Sequence, residues 1–407
     1  MKKTLAALLV IALCFSAFAC GENGGKEDGD KVTGNVVEGT TIKIGVFEPT
    51  TGENGGGGMQ EVLGVRYANK VAPTVTVNGT EYTIELVEVD NQSDKTAAVT
   101  AAQSLITSNV VAVIGSYGSG VSIAAGETFA NAAVPAVGCS CTNPQVTLDN
   151  PYYFRVCFLD PFQGTVMASY AFEKGYTKAA VLSQNGDDYS TGLAEYFKAA
   201  FTKLGGEIVA DETYQTNDTD FNAQLTTIKG TDAQVLFAPS SIQTATLLLP
   251  QAKAAGITAA IMAGDTWENQ TIIDDAQGAA EGVALSTFFD ENDNTSTVAK
   301  DFVKGFKEYL NSNAANIAAN GNTDGVAAVS ALGYDAYMTV YNAIASLDGT
   351  EGDITSAAIR DAIASVNYTG VTGSITFDEN GDAQKDTAYI KEVKDGKFVF
   401  VKTQVAE

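Results

Sequence analysis

The chain has 407 residues, with 24 Lys and Arg against 49 Asp and Glu, a formal charge of −25 and no histidine. Such acidity excludes nucleic acid as a partner, because a polyanion is held by a basic footprint. The missing imidazole excludes Ser/His and Cys/His catalysis and every histidine-ligated metal site. With 45% hydrophobic residues the chain is globular, and at about 150 residues per domain it has room for two or three domains.

Lys2 and Lys3 precede an apolar run from Leu5 to Phe18, which ends in Ala17-Phe18-Ala19-Cys20. A short basic start, a short apolar stretch and small residues before a cut site predict a signal peptide over residues 1–19. The run is too short to span a bilayer comfortably. Cys20, directly after the small-x-small site, resembles the lipidated cysteine of a bacterial lipoprotein signal. Residues 20–40 are glycine-rich and acidic, and predict a flexible, lipid-anchored linker with a span of roughly 25 Å.

From residue 41 strands and helices alternate. Strands are predicted at 41–47, 82–89, 110–115, 134–138, 152–158, 178–183, 207–214, 234–238, 259–263 and 282–288. Between them the pattern gives helices at 58–72, 95–107, 121–132, 163–174, 190–204, 220–229 and 242–255. Asn78-Gly79 marks a hairpin before the second strand. Short, continuously apolar strands separated by helices predict parallel sheets covered on both faces. There are too many for one ordinary sheet, so two α/β lobes are expected. After residue 295 helices dominate, at 297–311, 325–346 and 355–366. Strands return at 373–378 and in a hairpin through 389–393 and 397–402, turned at Asp395-Gly396.

Several constellations give no chemistry. The glycine run Gly55–Gly58 lacks the Gly-Lys-Ser/Thr of a phosphate loop. Asp290-Glu291-Asn292 begins like a calcium loop, but Thr295 stands where glycine is required. The pairs Asp187/Asp188 and Asp218/Asp220 precede helices, where acidic caps are expected. Of the cysteines left after export, Cys139, Cys141 and Cys157, an odd number cannot all pair. Cys139 and Cys141 alternate on a strand end, a poor geometry for a mutual bridge, which leaves Cys139–Cys157 as a possible disulfide. No enzyme activity, metal or cofactor is expected.

Several segments, in order, resemble the substrate-binding proteins of branched-chain amino acid ABC transporters, which have the type I periplasmic-binding fold. They are the opening strand with Thr51-Gly52; Val113-Ile114-Gly115-x-x-x-Ser119; Ser140-Cys141-Thr142-Asn143-Pro144; Phe154-Arg155 with Asp160-Pro161-Phe162-Gln163-Gly164; Tyr189-Ser190-Thr191-Gly192; Gly264-Asp265-Thr266-Trp267; and Gly333-Tyr334-Asp335-Ala336. The similarity covers roughly residues 41–403. It implies two doubly wound parallel-sheet lobes joined by three crossings that close like a flytrap. Lobe 1 would comprise 41–158 plus 286–382, and lobe 2 would comprise 159–285 plus 383–407.

The resemblance also implies ligand contacts. Ser119 and Thr142 would hold a ligand carboxylate. The carbonyls around Cys141, with the Thr142 hydroxyl, would receive its ammonium, to which Asp265 would pair. Tyr189 would close over the ligand, Trp267 would wall the side-chain pocket, and Ser241 lies on another loop of lobe 2. In the family an aromatic often stands where this chain has Gly57, so a larger or looser side-chain pocket is expected here. The implied function is a monomeric, exported, membrane-tethered receptor that delivers an amino acid to an ABC permease. The alternatives are a small amide, urea-like or aromatic acid as ligand, or a sensory input domain.

Overall fold

The computed structural model describes residues 34–292 and 296–405; the signal peptide, Cys20 and most of the linker lie outside them. The first sheet comprises β1 (Thr41–Glu48), β2 (Thr74–Val77), β3 (Thr80–Asp90), β4 (Ala112–Ile114), β5 (Ala136–Gly138) and β6 (Tyr153–Arg155), in the order β2-β3-β1-β4-β5-β6. It is parallel except for β2, which pairs antiparallel with β3 through the Asn78-Gly79 turn. The second sheet takes β7 (Lys178–Asn185), β8 (Glu207–Gln215), β9 (Val235–Phe237), β10 (Ala260–Ala263) and β11 (Ala284–Thr287). The chain then forms a small antiparallel pair, β12 (Asn367–Gly370) and β13 (Gly373–Thr376). It returns as β14 (Thr387–Lys394) and β15 (Lys397–Val405), which give the second sheet the order β15-β14-β11-β10-β9-β7-β8. The sheets are therefore connected three times: after β6, after β11 and after β13. The parts built on them are lobe 1 and lobe 2 below.

Helices α1 (Gly55–Val71), α2 (Lys95–Thr107) and α3 (Ser119–Asn131) cover the first sheet. Helices α4 (Asp160–Glu173), α5 (Asp188–Lys203), α6 (Asn222–Lys229), α7 (Ile242–Ala255) and α8 (Gln270–Asp275) belong with the second. Then come α9 (Thr297–Asn311), α10 (Ala314–Ala319), α11 (Ala328–Ala345) and α12 (Ser356–Ile363). Helix α11 packs back on α1. That approach is close because glycines meet backbone: a Cβ on Gly64 would collide with the Ser330 carbonyl, and one on Gly333 with that of Glu61. Central strands such as β4 and β9 are buried along their whole length, which is why their sequences are apolar without alternation. As expected, Asp187 is a helix cap, accepting from the Ser190 amide.

Two expectations change. Cys139, Cys141 and Cys157 are all free and buried, so no Cys139–Cys157 bridge forms. The linker, read as flexible to residue 40, is held from its first described residues. Asn35 Nδ2 donates to the carbonyls of Ile106 (3.1 Å) and Val110 (2.7 Å). Val37 donates its amide to Ile354 O, Ser356 to Asn35 O, and Asn109 Nδ2 to Val36 O. This strap ties down the end of α2 and the segment leading into β4, a role a glycine-rich composition does not announce. Replacing Asn35 with alanine removes two hydrogen bonds, each worth about 0.5–1.5 kcal/mol. It should lower the unfolding free energy by about 1–2 kcal/mol in urea titration, and an unchanged midpoint would refute the strap.

Candidate functional site

The loops that follow the carboxyl ends of the central strands of both sheets face each other, which is where open α/β sheets bind ligands. From lobe 1 come the turn between β4 and α3 and the loop after β5; from lobe 2 come the starts of α5 and α7 and the turn after β10. The first crossing adds the start of α4.

The lobes are in contact across this cleft. Asn143 Nδ2 donates to Asp188 O at 2.7 Å, and Tyr117 OH to Thr266 O at 3.3 Å. The Ile242 amide donates to Asn54 Oδ1, and Asn269 Nδ2 to Gln60 Oε1, both at 3.2 Å. Lys95 and Asp188 form an ion pair at 2.8 Å. The structure is the closed form.

Inside the cleft several buried polar atoms have no protein partner: Thr142 Oγ1, both carboxylate oxygens of Asp160, Gln163 Oε1 and Asp265 Oδ2. Asp265 Oδ1 accepts from Gln163 Nε2 (2.8 Å) and Tyr189 OH (3.0 Å). Asp160 is tied to Thr142 by its amide, which donates to Thr142 O at 3.0 Å. Burial pushes the Asp160 carboxyl up to about 8, against the pull of the neighbouring Thr142 hydroxyl. It pushes Asp265 up to about 6, against the hydrogen bonds from Gln163 and Tyr189. Leaving such acceptors unpaired costs about 1–3 kcal/mol each, so the site is built for a ligand rich in donors.

The structure thus brings Thr142, Tyr189 and Asp265 together, and with them Asp160 and Gln163. These two stand in a quoted motif but were not expected as contacts. Their signal was a carboxylate and an amide one turn apart at a helix start, which sequence alone reads as capping. Ser119 begins α3, and its Oγ accepts from the Asn143 amide at 3.2 Å; the hydroxyl proton and the first amides of α3 remain to serve an anion. The Cys141 carbonyl accepts from Arg155 Nη1 at 2.7 Å, so part of its capacity is taken. The thiol itself is pushed up to about 11 by burial and is no nucleophile. Ser241 serves as the cap of α7, its Oγ accepting from the Thr244 amide. Trp267 is 1% exposed, with its indole N–H donating to Ser240 Oγ at 3.0 Å; its anchorage lies in lobe 2.

The gap at Gly57 is filled. A Cβ there would fall within the Tyr117 ring, so the space beside Gly57 is taken by Tyr117. Beneath Tyr117 lie two fully buried carboxyls. Glu48 Oε2 accepts from the Tyr117 amide at 2.7 Å, and Glu61 Oε1 from Ser140 Oγ at 2.5 Å. Their remaining oxygens are unpartnered, and with Cys139 Sγ they lie within 4.8 Å of one another. Burial pushes Glu61 up to about 8, and burial together with the Glu61 charge raises Glu48. Both carboxyls are thus biased towards the protonated form, and between them they hold the Tyr117 and Ser140 loops of lobe 1.

Two α/β lobes thus meet on a cleft lined by buried polar atoms that have no protein partner. The chain belongs to the periplasmic binding protein family, which it matches over residues 41–397. It is 32% identical to an amino acid binding protein of Pseudomonas aeruginosa over 55% of this chain and 60% of that one. It is 26% identical to a Leu/Ile/Val-binding protein homolog of Brucella melitensis over 88% of this chain and 93% of that one. Among solved structures, a leucine-binding protein from Thermotoga maritima superposes with a TM-score of 0.80 at 33% identity, covering 89% of this chain and 99% of that one. A branched-chain amino acid transporter substrate-binding protein from Streptococcus pneumoniae, in complex with isoleucine, superposes at 0.78 and 30% identity, covering 90% and 98%.

A carboxyl whose folded value is raised binds its proton more tightly folded than unfolded. Stability is then full below the ordinary 4.5 and falls as pH rises towards about 8. The thermal midpoint should decline over that range, and Glu61→Gln, which needs no proton, should flatten the decline. An identical slope in the variant would show that the pair does not titrate there.

Proposed function

We propose that this protein captures an amino acid, branched-chain or related, between its lobes and delivers it to an ABC transporter permease. It does so as an exported monomer held to the membrane by lipid on Cys20. The observation that carries the reading is the set of buried oxygens without a partner, both of Asp160, Gln163 Oε1 and Asp265 Oδ2, gathered with the Thr142 hydroxyl of the other lobe. Arg155, the cation whose charge reaches Asp160, is already engaged by Asp382 and the loop carbonyls. An ammonium brings three donors and a positive charge to this place. Its carboxylate then falls to Ser119 and the start of α3. An aromatic acid or neutral amide supplies no cation and leaves two buried carboxyls to be kept protonated, so the geometry favours a zwitterion. Ligand bridging of the lobes stabilises the closed form by population shift.

Asp160→Asn and Asp265→Asn should each weaken binding of leucine, isoleucine, valine or alanine at least tenfold in calorimetric titration. Because the ammonium lowers both carboxyls from about 8 and about 6, binding should release protons near neutral pH. The apparent enthalpy should then vary with the ionisation heat of the buffer, an effect that shrinks in Asp160→Asn. Response to benzoate with none to any amino acid would overturn the reading. For the anchor, Cys20→Ser should move the mature protein from the membrane fraction to the soluble exported fraction; unchanged fractionation would remove lipid from the account.

A further inference from the structure

The family resemblance leaves the glycine run at Gly55–Gly58 unexplained, and the ring that seats on it comes from a position the motif leaves open. Tyr117 stands two residues before Ser119 and spans the cleft. Its amide is held by Glu48 Oε2 of lobe 1 at 2.7 Å. Its ring lies on Gly57, so close that any side chain at 57 would overlap Cε2 and Cζ. Its hydroxyl donates to the carbonyl of Thr266, the residue after Asp265, in lobe 2. The residue is 4% exposed. It therefore runs from the loop that carries Ser119 to the turn that carries Asp265, along one side of the space between them.

We propose that Tyr117 is the specificity-determining wall of the ligand's side-chain subsite, seated on Gly57 and fixed by the closed lobes. The proposal rests on the amino-acid reading above and deepens it. The consequence is a subsite whose size is set in the closed state only. When the lobes part, the bond to Thr266 O is lost and the ring is held on its lobe 1 side alone. When they close, the hydroxyl fixes the ring and with it the limit on side-chain bulk. Branched aliphatic side chains pack against the face of such a ring, whereas a second aromatic ring competes with it for space.

The test has two arms. In the first, wild type, Tyr117→Ala and Tyr117→Phe are titrated calorimetrically with valine, leucine and phenylalanine. Tyr117→Ala should shift the ratio of phenylalanine to valine affinity at least tenfold towards phenylalanine. Tyr117→Phe keeps the ring and loses the bond across the cleft, so it should weaken all three ligands together and leave that ratio within about twofold. A ratio unchanged in Tyr117→Ala, or shifted equally in Tyr117→Phe, would overturn the wall.

The second arm needs no ligand. Gly57→Ala should lower the thermal midpoint in the wild-type background, where it meets the ring, and have little effect in Tyr117→Ala, where the seat is empty. Additive effects would overturn the seating of the ring. Failure of all three amino acids to bind wild type would strike the ligand reading instead, and would take the subsite with it while the second arm still judged the seat.

Discussion

Arg155 stands where the chain first leaves lobe 1, and its guanidinium binds what must not move there. Its Nε pairs with Asp382 Oδ1 at 2.5 Å, Nη1 donates to the carbonyls of Cys141 and Asn143, and Nη2 donates to Thr147 Oγ1. The side chain is fully buried. A buried ion pair broken on one side leaves an uncompensated charge that costs about 3–5 kcal/mol, so this arrangement persists only whole. Because Asp382 lies on the third crossing and Cys141 to Thr147 on the ligand loop, one side chain fixes the pivot and a wall of the cleft together. The position of Thr142 relative to the start of α4 follows from it.

Against that fixed frame the cleft interior is electrostatically unfinished. Glu48, Glu61, Asp160 and Asp265 are all buried and all shifted towards the protonated form. The four differ in use. Glu48 and Glu61 face each other and the undersides of the loops, so a shared proton satisfies them without any ligand. Asp160 and Asp265 keep free oxygens beside Thr142 and Gln163, and closing on nothing leaves them desolvated and unpaired. On the proposed function, an empty closed state is penalised and a filled one relieved, which is how a differential contact becomes a conformational preference.

Much of the fold was legible in the sequence because it rests on local signals. Asn78-Gly79 placed the β2–β3 hairpin, apolar runs such as 112–114 gave buried parallel strands, and Asp395-Gly396 placed the β14–β15 turn. The short helices α8 and α10 were missed: each is six residues long and too short to show a period. The site was legible only in part. Ordered motifs pointed to Thr142, Tyr189 and Asp265, which the structure brings together. They did not point to Asp160 or Tyr117, because what distinguishes these is tertiary: unpaired oxygens in one case, a glycine against the ring in the other. Ser241, expected as a ligand contact, also caps α7, as a serine before a helix does by default.

The strap at Gly34–Val37 has a mechanical meaning. Its hydrogen bonds run to Ile106, Val110, Asn109, Ile354 and Ser356, all on elements that pack with the first sheet. Any pull arriving along the chain from the amino-terminal side is thus taken up in lobe 1, ahead of the crossings, and the load path bypasses the pivot. How tightly the amino-terminal segment is drawn therefore does not bear on the contacts that hold the lobes together across the cleft.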